Sequence, residues 1–596
     1  MSLNIFKYSN LISATLLTLT FVGCNDFLDR EPLDQISQNT FWKTPEQLDS
    51  YIIGKYEWLP GSLTEWGMGY FGDDEYSDNM VNRLQHNTWM NGEENTTPTE
   101  GGEWKWEAIR EINMFFDNYQ KCEAPFESYK HTYGEACFLK AYKYHELVKK
   151  FGDVPWYSHV ISENDEEELT KPRTPRAEVV DSIMNLIDKS IECLKTRAEV
   201  GPNRLNKETA YIYKSRVALF EATWSKYHAG TPFASNVDSK KYFQKVLDAY
   251  NGCKQLVGDY SKYIYSTGNP DIDYYNLFNR FDHTSIQEIT LSKDYNQSLG
   301  ILTNVNVLFW QYGYGGYSYT LDLINSYLSR TGKTIDIEDE TAVKGKGAAY
   351  LTDLAEKLDP RFKQSVFVPG DLINSVTPGF KDSCFAVPQI HLSDPGRNIS
   401  TGFSPKKGHN PEAPMENQVD PMISGIGFRM AELLLNYAEA YVELNNTYPD
   451  LSDNIDLLRK RVAMPTLTEV KPDVTDIWPD YGYPISDELA VIRNERRVEL
   501  AGEGYRKDDW MRWRAHKLFD GKRPKGFRFT QSDYDPYNAV VTIPVDEKGY
   551  LDPLFKSLEG GVYHFNPERD YLSPIPLNDL LLNPNLKQNP GWDDAN

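Results

Sequence analysis

Cysteine is scarce: the 596 residues contain six, at positions 24, 122, 137, 193, 253 and 384, and no two of them stand as C-x-x-C. That spacing signals neither a zinc ribbon nor a thioredoxin-type motif, and the length excludes a disulfide-stapled miniprotein. Five of the six read as small buried hydrophobes; Cys24 is different. Positive charge is also short, with 63 Lys and Arg against 87 Asp and Glu and a formal net charge of -24. Neutralising phosphates needs clustered Lys and Arg, so this balance argues against a nucleic-acid binder and leaves neutral or cationic partners easier to reconcile. Enzyme signatures are missing too. The ten His never form H-E-x-x-H, and neither G-x-S-x-G nor G-x-x-x-x-G-K-[ST] occurs. Beyond the N-terminal segment no apolar run approaches the ~18 residues of a membrane-crossing helix.

What the chain has in quantity is aromatic residues: 13 Trp, 39 Tyr and 27 Phe, which is incompatible with a wholly disordered chain. At ~150 residues per domain the length is roughly four domains' worth, or one large helical body with insertions. Residues 1–23 carry Lys7, then an apolar run from Leu11 to Val22 interrupted only by Ser and Thr, then Gly23 before Cys24. This is the three-part form of a secretory signal. Ending on a small residue and Cys, it looks like a bacterial lipoprotein signal in which Cys24 is acylated and becomes the mature N-terminus. Several acyl chains, at ~0.8 kcal/mol per buried CH2, would hold the protein firmly at a membrane.

The first 200 residues of the mature chain read mostly as helix. In EACFLKAYKYHELVKKF, residues 135–151, the side chains of Cys137, Ala141, Tyr144, Val148 and Phe151 fall at helical steps on one face. Gly152-Asp153 stops that helix, and Pro155 turns Val154 away from helical geometry. Similar periodicity predicts helices at Glu178 to Leu194, Lys207 to Tyr227, Tyr242 to Leu256, Gly427 to Leu444 and Asp487 to Trp513. Small residues inside these faces, such as Ala141, Ala218 and Ala438, would let neighbouring helices approach closely, which suggests stacked helix pairs of the solenoid type. No strict 34-residue repeat accompanies them. Between about 257 and 425, Gly, Pro, Asn and Tyr accumulate and short strand candidates such as Gln287 to Leu291 stand between turn signals. The stretch from Tyr571 to Trp592, punctuated by Pro574, Pro576, Pro584 and Pro590, predicts an extended tail packed on the helices.

Five blocks in order carry a family resemblance: CNDFLDREP from Cys24, GEACFLKAYKYHELVKKFGDVPW from Gly134, FRMAELLLNYAEAYVELN from Phe428, RNERRVELAGEGYRKDDWMRW from Arg493, and the closing SPIPLNDLLLNPNLKQNPGW. In these the chain resembles the SusD/RagB outer-membrane nutrient-binding lipoproteins of Gram-negative bacteria. The match spans nearly the whole mature chain, although residues 230–420 match only in general character. The resemblance implies a mainly α, SusD-like fold in which four tetratricopeptide-like helix pairs support a loop-rich half with few short strands. Its expected division is a signal peptide at 1–23, an N-terminal helical region at 24–256, a loop-rich ligand-binding region at 257–425, and a C-terminal helical region with an extended tail at 426–596. It also implies a non-catalytic protein, anchored at the outer membrane and exposed on the cell surface, that passes oligosaccharide to a SusC-like TonB-dependent transporter over which it sits as a lid.

A sugar-binding surface needs flat apolar faces for the C–H sides of pyranose rings and polar groups that fix the hydroxyls, which Trp and Tyr supply at low entropic cost. Two places fit. One is Trp310, Tyr312, Tyr314, Tyr317 and Tyr319, interleaved with glycines; the other is Trp89 to Asn91, preceded by Arg83 and followed by a polar run. In the family, glycan-contacting aromatics lie in the loop after an early GDE-SD-like segment and in the loop before a T-x-x-L-x-x-Y-like stretch. Here these guides look like GDDEYSDN from Gly72 and TLDLINSY from Thr320. The resemblance therefore points to Trp89, Asn91, Trp310, Tyr312 and Tyr314, against the competing reading that these aromatics stabilise their own loops. The charges between Arg493 and Arg514, with Glu495, Glu499, Asp508 and Asp509 beside Arg496, Arg497 and Arg506, read as surface pairs or a structural ion network rather than as an active site. Asp271 and Asp273 form a short D-x-D that would help hold a structural calcium, without the twelve-residue loop of an EF-hand. Capture of peptides, as implied for one branch of the family, and a surface glycosidase are the alternatives; Asp and Glu are too numerous for a catalytic pair to be chosen from spacing.

Overall fold

The computed structural model describes residues 41–64, 67–95, 103–310, 316–339, 341–392, 397–414, 422–473 and 479–592. Helices dominate them: α1 (Pro45–Ile53), α2 (Glu107–Asn118), α3 (Lys130–Phe151), α4 (Arg176–Cys193), α5 (Lys207–Tyr227), α6 (Ser239–Val257), α7 (Met430–Asn445), α8 (Asp487–Glu499) and α9 (Arg506–Arg512), with further helices such as Ala348–Lys357 and Ile455–Arg461 and shorter turns between. Their starts follow from local chemistry. The Thr44 hydroxyl and the Gln47 amide close a capping box on α1, and the side-chain oxygens of Asn206, Asp238 and Ser486 accept from backbone N–H groups in the first turns of α5, α6 and α8. At the other end of α3 the Gly152 N–H returns to the Val148 carbonyl, and the chain leaves the helix.

Packing is pairwise: α3 lies on α4, α5 on α6 and α7 on α8, and the pairs join through α4 on α5 and α7 on both α5 and α6. The small residues that allow this approach, Ala141, Ala218 and Ala438, are fully buried, as are Cys137, Tyr144 and Val148 on the predicted face of α3. One apolar core runs through this helical half, and a second, built around Tyr274, Tyr327, Phe362 and Phe527, fills the loop-rich half. A third gathers Trp224, Trp510, Trp513 and Tyr571 where the tail meets α5 and α9.

Sheet is confined to three antiparallel two-stranded ribbons among the described residues: β1 (Met80–Asn82) with β3 (Tyr317–Tyr319), β2 (Ile289–Lys293) with β6 (Gly425–Arg429), and β4 (Leu372–Asn374) with β5 (Ser383–Cys384). Two predicted helices are corrected here. The one expected from Gly427 begins only at Met430, because 425–429 are strand. The one expected over Asp487 to Trp513 breaks between Glu499 and Arg506, where Gly502 and Gly504 take positive φ of 73° and 79°. The tail is irregular and packed as expected: the Trp592 indole is buried and donates to the Leu572 carbonyl, although Leu577–Leu582 coil into a short helix.

The charges between Arg493 and Arg512 are buried rather than displayed, except Lys507 and the Asp508 carboxylate, which are half-buried. Glu499 receives Arg429 at 2.8 Å, Arg461 at 2.5 Å and Arg361 at 3.0 Å, and Asp509 receives Arg496 and Arg512, both at 2.9 Å. Carboxylates taken out of water persist only when paired and hydrogen-bonded in this way. This is a structural ion network, and the surface-pair alternative is set aside.

Candidate functional site

The segment Gly69–Tyr76 winds in 3-10 turns and leads into β1, and its side chains bolt it to the ion network. Asp78 is gripped by Arg506 at 2.7 Å and Arg497 at 2.8 Å; burial would raise its carboxyl, but these two guanidinium groups outweigh that and hold it far below the usual carboxylate range. Asp74 accepts from Asn79 and from the Gly502 N–H, and the Trp510 indole donates to the Tyr76 carbonyl. The 493–512 block thus serves as a rigid footing for the loop that follows β1.

From that footing the chain just after the GDDEYSDN segment meets the chain just before Thr320. β1 pairs with β3 in the register Met80 to Tyr319, Val81 to Ser318 and Asn82 to Tyr317. One residue further, the Arg83 N–H donates to the Gly316 carbonyl at 2.7 Å, with Arg83 itself at φ 59°, a left-handed conformation unusual for a side-chain-bearing residue. Tyr317 lies half-buried against Gly72: a Cβ at position 72 would stand 2.9 Å from the tyrosine ring, so a side chain there would push the ring aside. Burial, reinforced by the nearby Glu75 and Asp73 carboxylates, raises the Tyr317 hydroxyl well above its ordinary value, and the phenol stays neutral. Asn82 donates to Glu75 at 2.6 Å, and the Arg83 side chain is exposed.

The other predicted residues are placed differently. The half-buried Trp89 donates its indole N–H to the Asp570 carbonyl, meets the Trp510 ring at 4.9 Å and carries the Lys507 ammonium over its face at 4.5 Å, so much of it is engaged inside the protein. Asn91 is likewise engaged, donating to Glu93 and accepting from the His564 N–H. Trp310 ends the short helix Val305–Trp310, and Tyr319 is buried. Tyr312, Tyr314 and Cys24 lie outside the described residues. Asp271 and Asp273 do not converge. Asp271 is exposed, whereas Asp273 is buried with its oxygens accepting from Ser266, Thr267 and Asn269, so it closes its own loop. Among the described residues no group of three or more His, Cys, Asp or Glu is placed to hold a metal ion. Tyr76 is the residue that aromatic clustering missed: 38% exposed, it stands within the GDDEYSDN segment that marks the loop, 4.8 Å from the Lys507 ammonium.

Comparison with known proteins decides what this architecture is. The family model described as the SusD family matches residues 279–592, and a second, described as starch-binding and associating with the outer membrane, matches residues 26–219. The chain belongs to the SusD family. SusD-like protein P2 of Formosa agariphila is 23% identical over 98% of this chain and 99% of its own length. A SusD-like carbohydrate-binding protein from Bacteroides fragilis superposes with a TM-score of 0.70 at 21% identity, covering 92% of this chain and 100% of that one. A laminarin-binding SusD-like protein gives a TM-score of 0.53 at 16% identity over 92% of this chain and 100% of its own. The helix pairs and short ribbons described above are therefore a SusD family fold, as the five sequence blocks imply. Among the described residues no helix is long and apolar enough to cross a membrane.

Proposed function

We propose that this chain is a cell-surface lipoprotein, acylated at Cys24, that captures oligosaccharides without cleaving them and delivers them to a SusC-like TonB-dependent transporter. The observation that supports the reading is the β1–β3 pairing, which sets residues 80–82, just after the GDDEYSDN segment, beside residues 317–319, just before Thr320. Membership of the SusD family and the carbohydrate binding named for relatives such as the laminarin-binding protein support it. In this reading Arg83, Tyr76 and Tyr317 border the glycan, with Trp310, Tyr312 and Tyr314 supplying ring faces from the second loop. Exposed arginine and tyrosine hydroxyl groups orient sugar hydroxyls, and aromatic faces supply apolar contact. The test is calorimetric or gel-retardation binding to a panel of plant, host and microbial polysaccharides, with chromatography of the products. One polymer is expected to bind uncut, and Trp310→Ala to lose that binding while melting like the parent. If the folded protein binds no polysaccharide in the panel, glycan capture is the wrong reading.

A further inference from the structure

After β1 the chain makes a turn that closes on itself and yet is moored far away in sequence. The N–H groups of Asn91, Gly92 and Glu93 return to the carbonyls of Asn87, Trp89 and Thr88, and the Met90 N–H is taken by the Asn87 side chain. Those bonds give the turn a shape but not a position. Among the described residues, every hydrogen bond that ties residues 87–92 to the rest of the chain runs to residues 563–570, which lead into the C-terminal tail. The Asn87 N–H donates to the Tyr563 hydroxyl at 3.1 Å, the Trp89 indole to the Asp570 carbonyl at 3.2 Å, the His564 N–H to the Asn91 side chain at 3.0 Å and the Arg569 guanidinium to the Gly92 carbonyl at 2.6 Å. The Trp89 ring also meets Trp510 of α9, but apolar contact has no direction. So moored, Met90 is buried and Trp89 half-buried, while Arg83, Gln85 and Thr88 stay exposed.

Arg569 gathers these ties. Its Nε donates to the Asp570 carboxylate at 2.6 Å, whose other oxygen accepts from the Asn566 N–H at 2.7 Å. The Asp570 side chain is buried, and a carboxylate out of water persists only with such partners. The guanidinium itself lies over the Trp592 ring, 4.4 Å from its centroid, a cation–π contact that keeps its plane fixed. Trp592 is buried in turn, with its indole N–H on the Leu572 carbonyl. A line of directional contacts thus runs from Trp592 through one guanidinium to the carbonyl of Gly92, and beside it Asp570 takes the Trp89 indole.

We propose that Arg569 is a positioning residue for the glycan site: it fixes the far end of the loop at residues 83–92, as the bond from the Arg83 N–H to Gly316 fixes the near end, so that Arg83 is presented to the ligand in one conformation. The inference rests on the glycan-capture reading and makes the C-terminal tail part of the binding machinery. Arg569 does not need to touch the glycan and acts through Gly92. A loop already in place spares the ligand the entropy of ordering it, and affinity is lowered in proportion to the fraction of molecules in which the loop has left its binding geometry.

The experiment joins hydrogen exchange, read by mass spectrometry, with calorimetry against laminarin-, xyloglucan- and starch-derived oligosaccharides, on the whole detergent-solubilised protein as parent, Arg569→Ala and Arg569→Lys. In Arg569→Ala the peptide containing residues 83–92 is expected to exchange about tenfold faster or more, and the affinity to fall about tenfold, while exchange in α3 and α5 stays at the parent's rate. Arg569→Lys keeps one donor for the Gly92 carbonyl and should recover part of both losses, which a residue that merely filled space would not show. If the parent binds and Arg569→Ala binds as tightly, or its loop peptide exchanges no faster, the positioning role is wrong and glycan capture stands. Faster exchange that spreads through α3 and α5 in both variants would make Arg569 a residue of the fold at large and overturn the role as well. If the parent binds none of the oligosaccharides, the role and the reading it rests on fall together.

Discussion

Trp89 and Arg83 belong to the same loop and are held in opposite ways. The indole of Trp89 has its N–H on Asp570 and its ring against Trp510, Phe565 and Lys507, so removing it opens a hole between the loop and the tail. Trp89→Ala should cost about 3 kcal/mol, the lower end of the range for buried tryptophan, together with any effect on binding. Arg83 spends only its backbone on the fold. Its N–H ties the loop to Gly316, its φ of 59° is maintained by that junction, and its guanidinium stands in solvent. Conformations of this kind gather where a structure imposes a geometry for recognition. Arg83→Ala should therefore shift stability by less than about 0.5 kcal/mol while weakening glycan binding. Urea denaturation and calorimetry on the two variants would show the contrast, and a strongly destabilised Arg83→Ala would mean that the side chain serves the fold instead.

At the scale of elements, the break between α8 and α9 decides how the site is supported. Gly502 sits there at φ 73° with its N–H on Asp74, and a Cβ would strike the Tyr319 hydroxyl of β3. Gly502→Ala should lower stability by about 2–4 kcal/mol, combining a left-handed backbone penalty with overpacking against a buried ring. A denaturation midpoint equal to the parent's would show that the turn tolerates a side chain. The same turn marks where reading the sequence stopped short. Periodicity located α3 by its buried face and α5 to the residue, Lys207–Tyr227, because an amphipathic face and an Asn206 cap are local features. It ran one helix through Gly502 and Gly504 and began another at Gly427, since apolar spacing continues across both. What bounds the helices is tertiary: Gly427 packs against the Pro60 carbonyl and Leu291 of β2 within the β2–β6 ribbon, and Gly502 packs on Tyr319. The site was legible in the same measure. Aromatic loops stand out in the sequence, whereas the register that joins residues 80–82 to residues 317–319 depends on contacts no spacing reveals.

At the scale of the molecule, burying this much charge makes the fold sensitive to acid, and the direction follows from which state binds protons. Burial holds His228 and His409 down to about 3, and His283 and His516 to about 4, against 6.5 when exposed. For Glu221 burial works the other way, yet Arg176 and His145 outweigh it and bring the carboxyl to about 2; for Glu439, Arg512, Arg493 and Arg496 do the same. All six values lie below those of the unfolded chain, so unfolding takes up protons and the stability they confer is complete above the unfolded values and lost as pH falls. The histidine share fades from about pH 6.5 downward and the carboxylate share from about pH 4.5 toward 2. Each unit of displacement is worth roughly 1.4 kcal/mol at most, against a total stability of about 5–15 kcal/mol, so the histidines alone can remove much of it. Urea melts between pH 7.5 and pH 4 should therefore show stability highest near neutrality, declining below about pH 6.5 and steepening below about pH 4.5. Glu439→Gln should start lower at pH 7 and fall less steeply in the acid limb, because one of the carboxylates that must be protonated is gone. A stability that stays level from pH 7.5 to pH 4 would mean that the buried imidazoles and carboxylates exchange protons with solvent as freely as in the unfolded chain, which their burial in this fold does not allow.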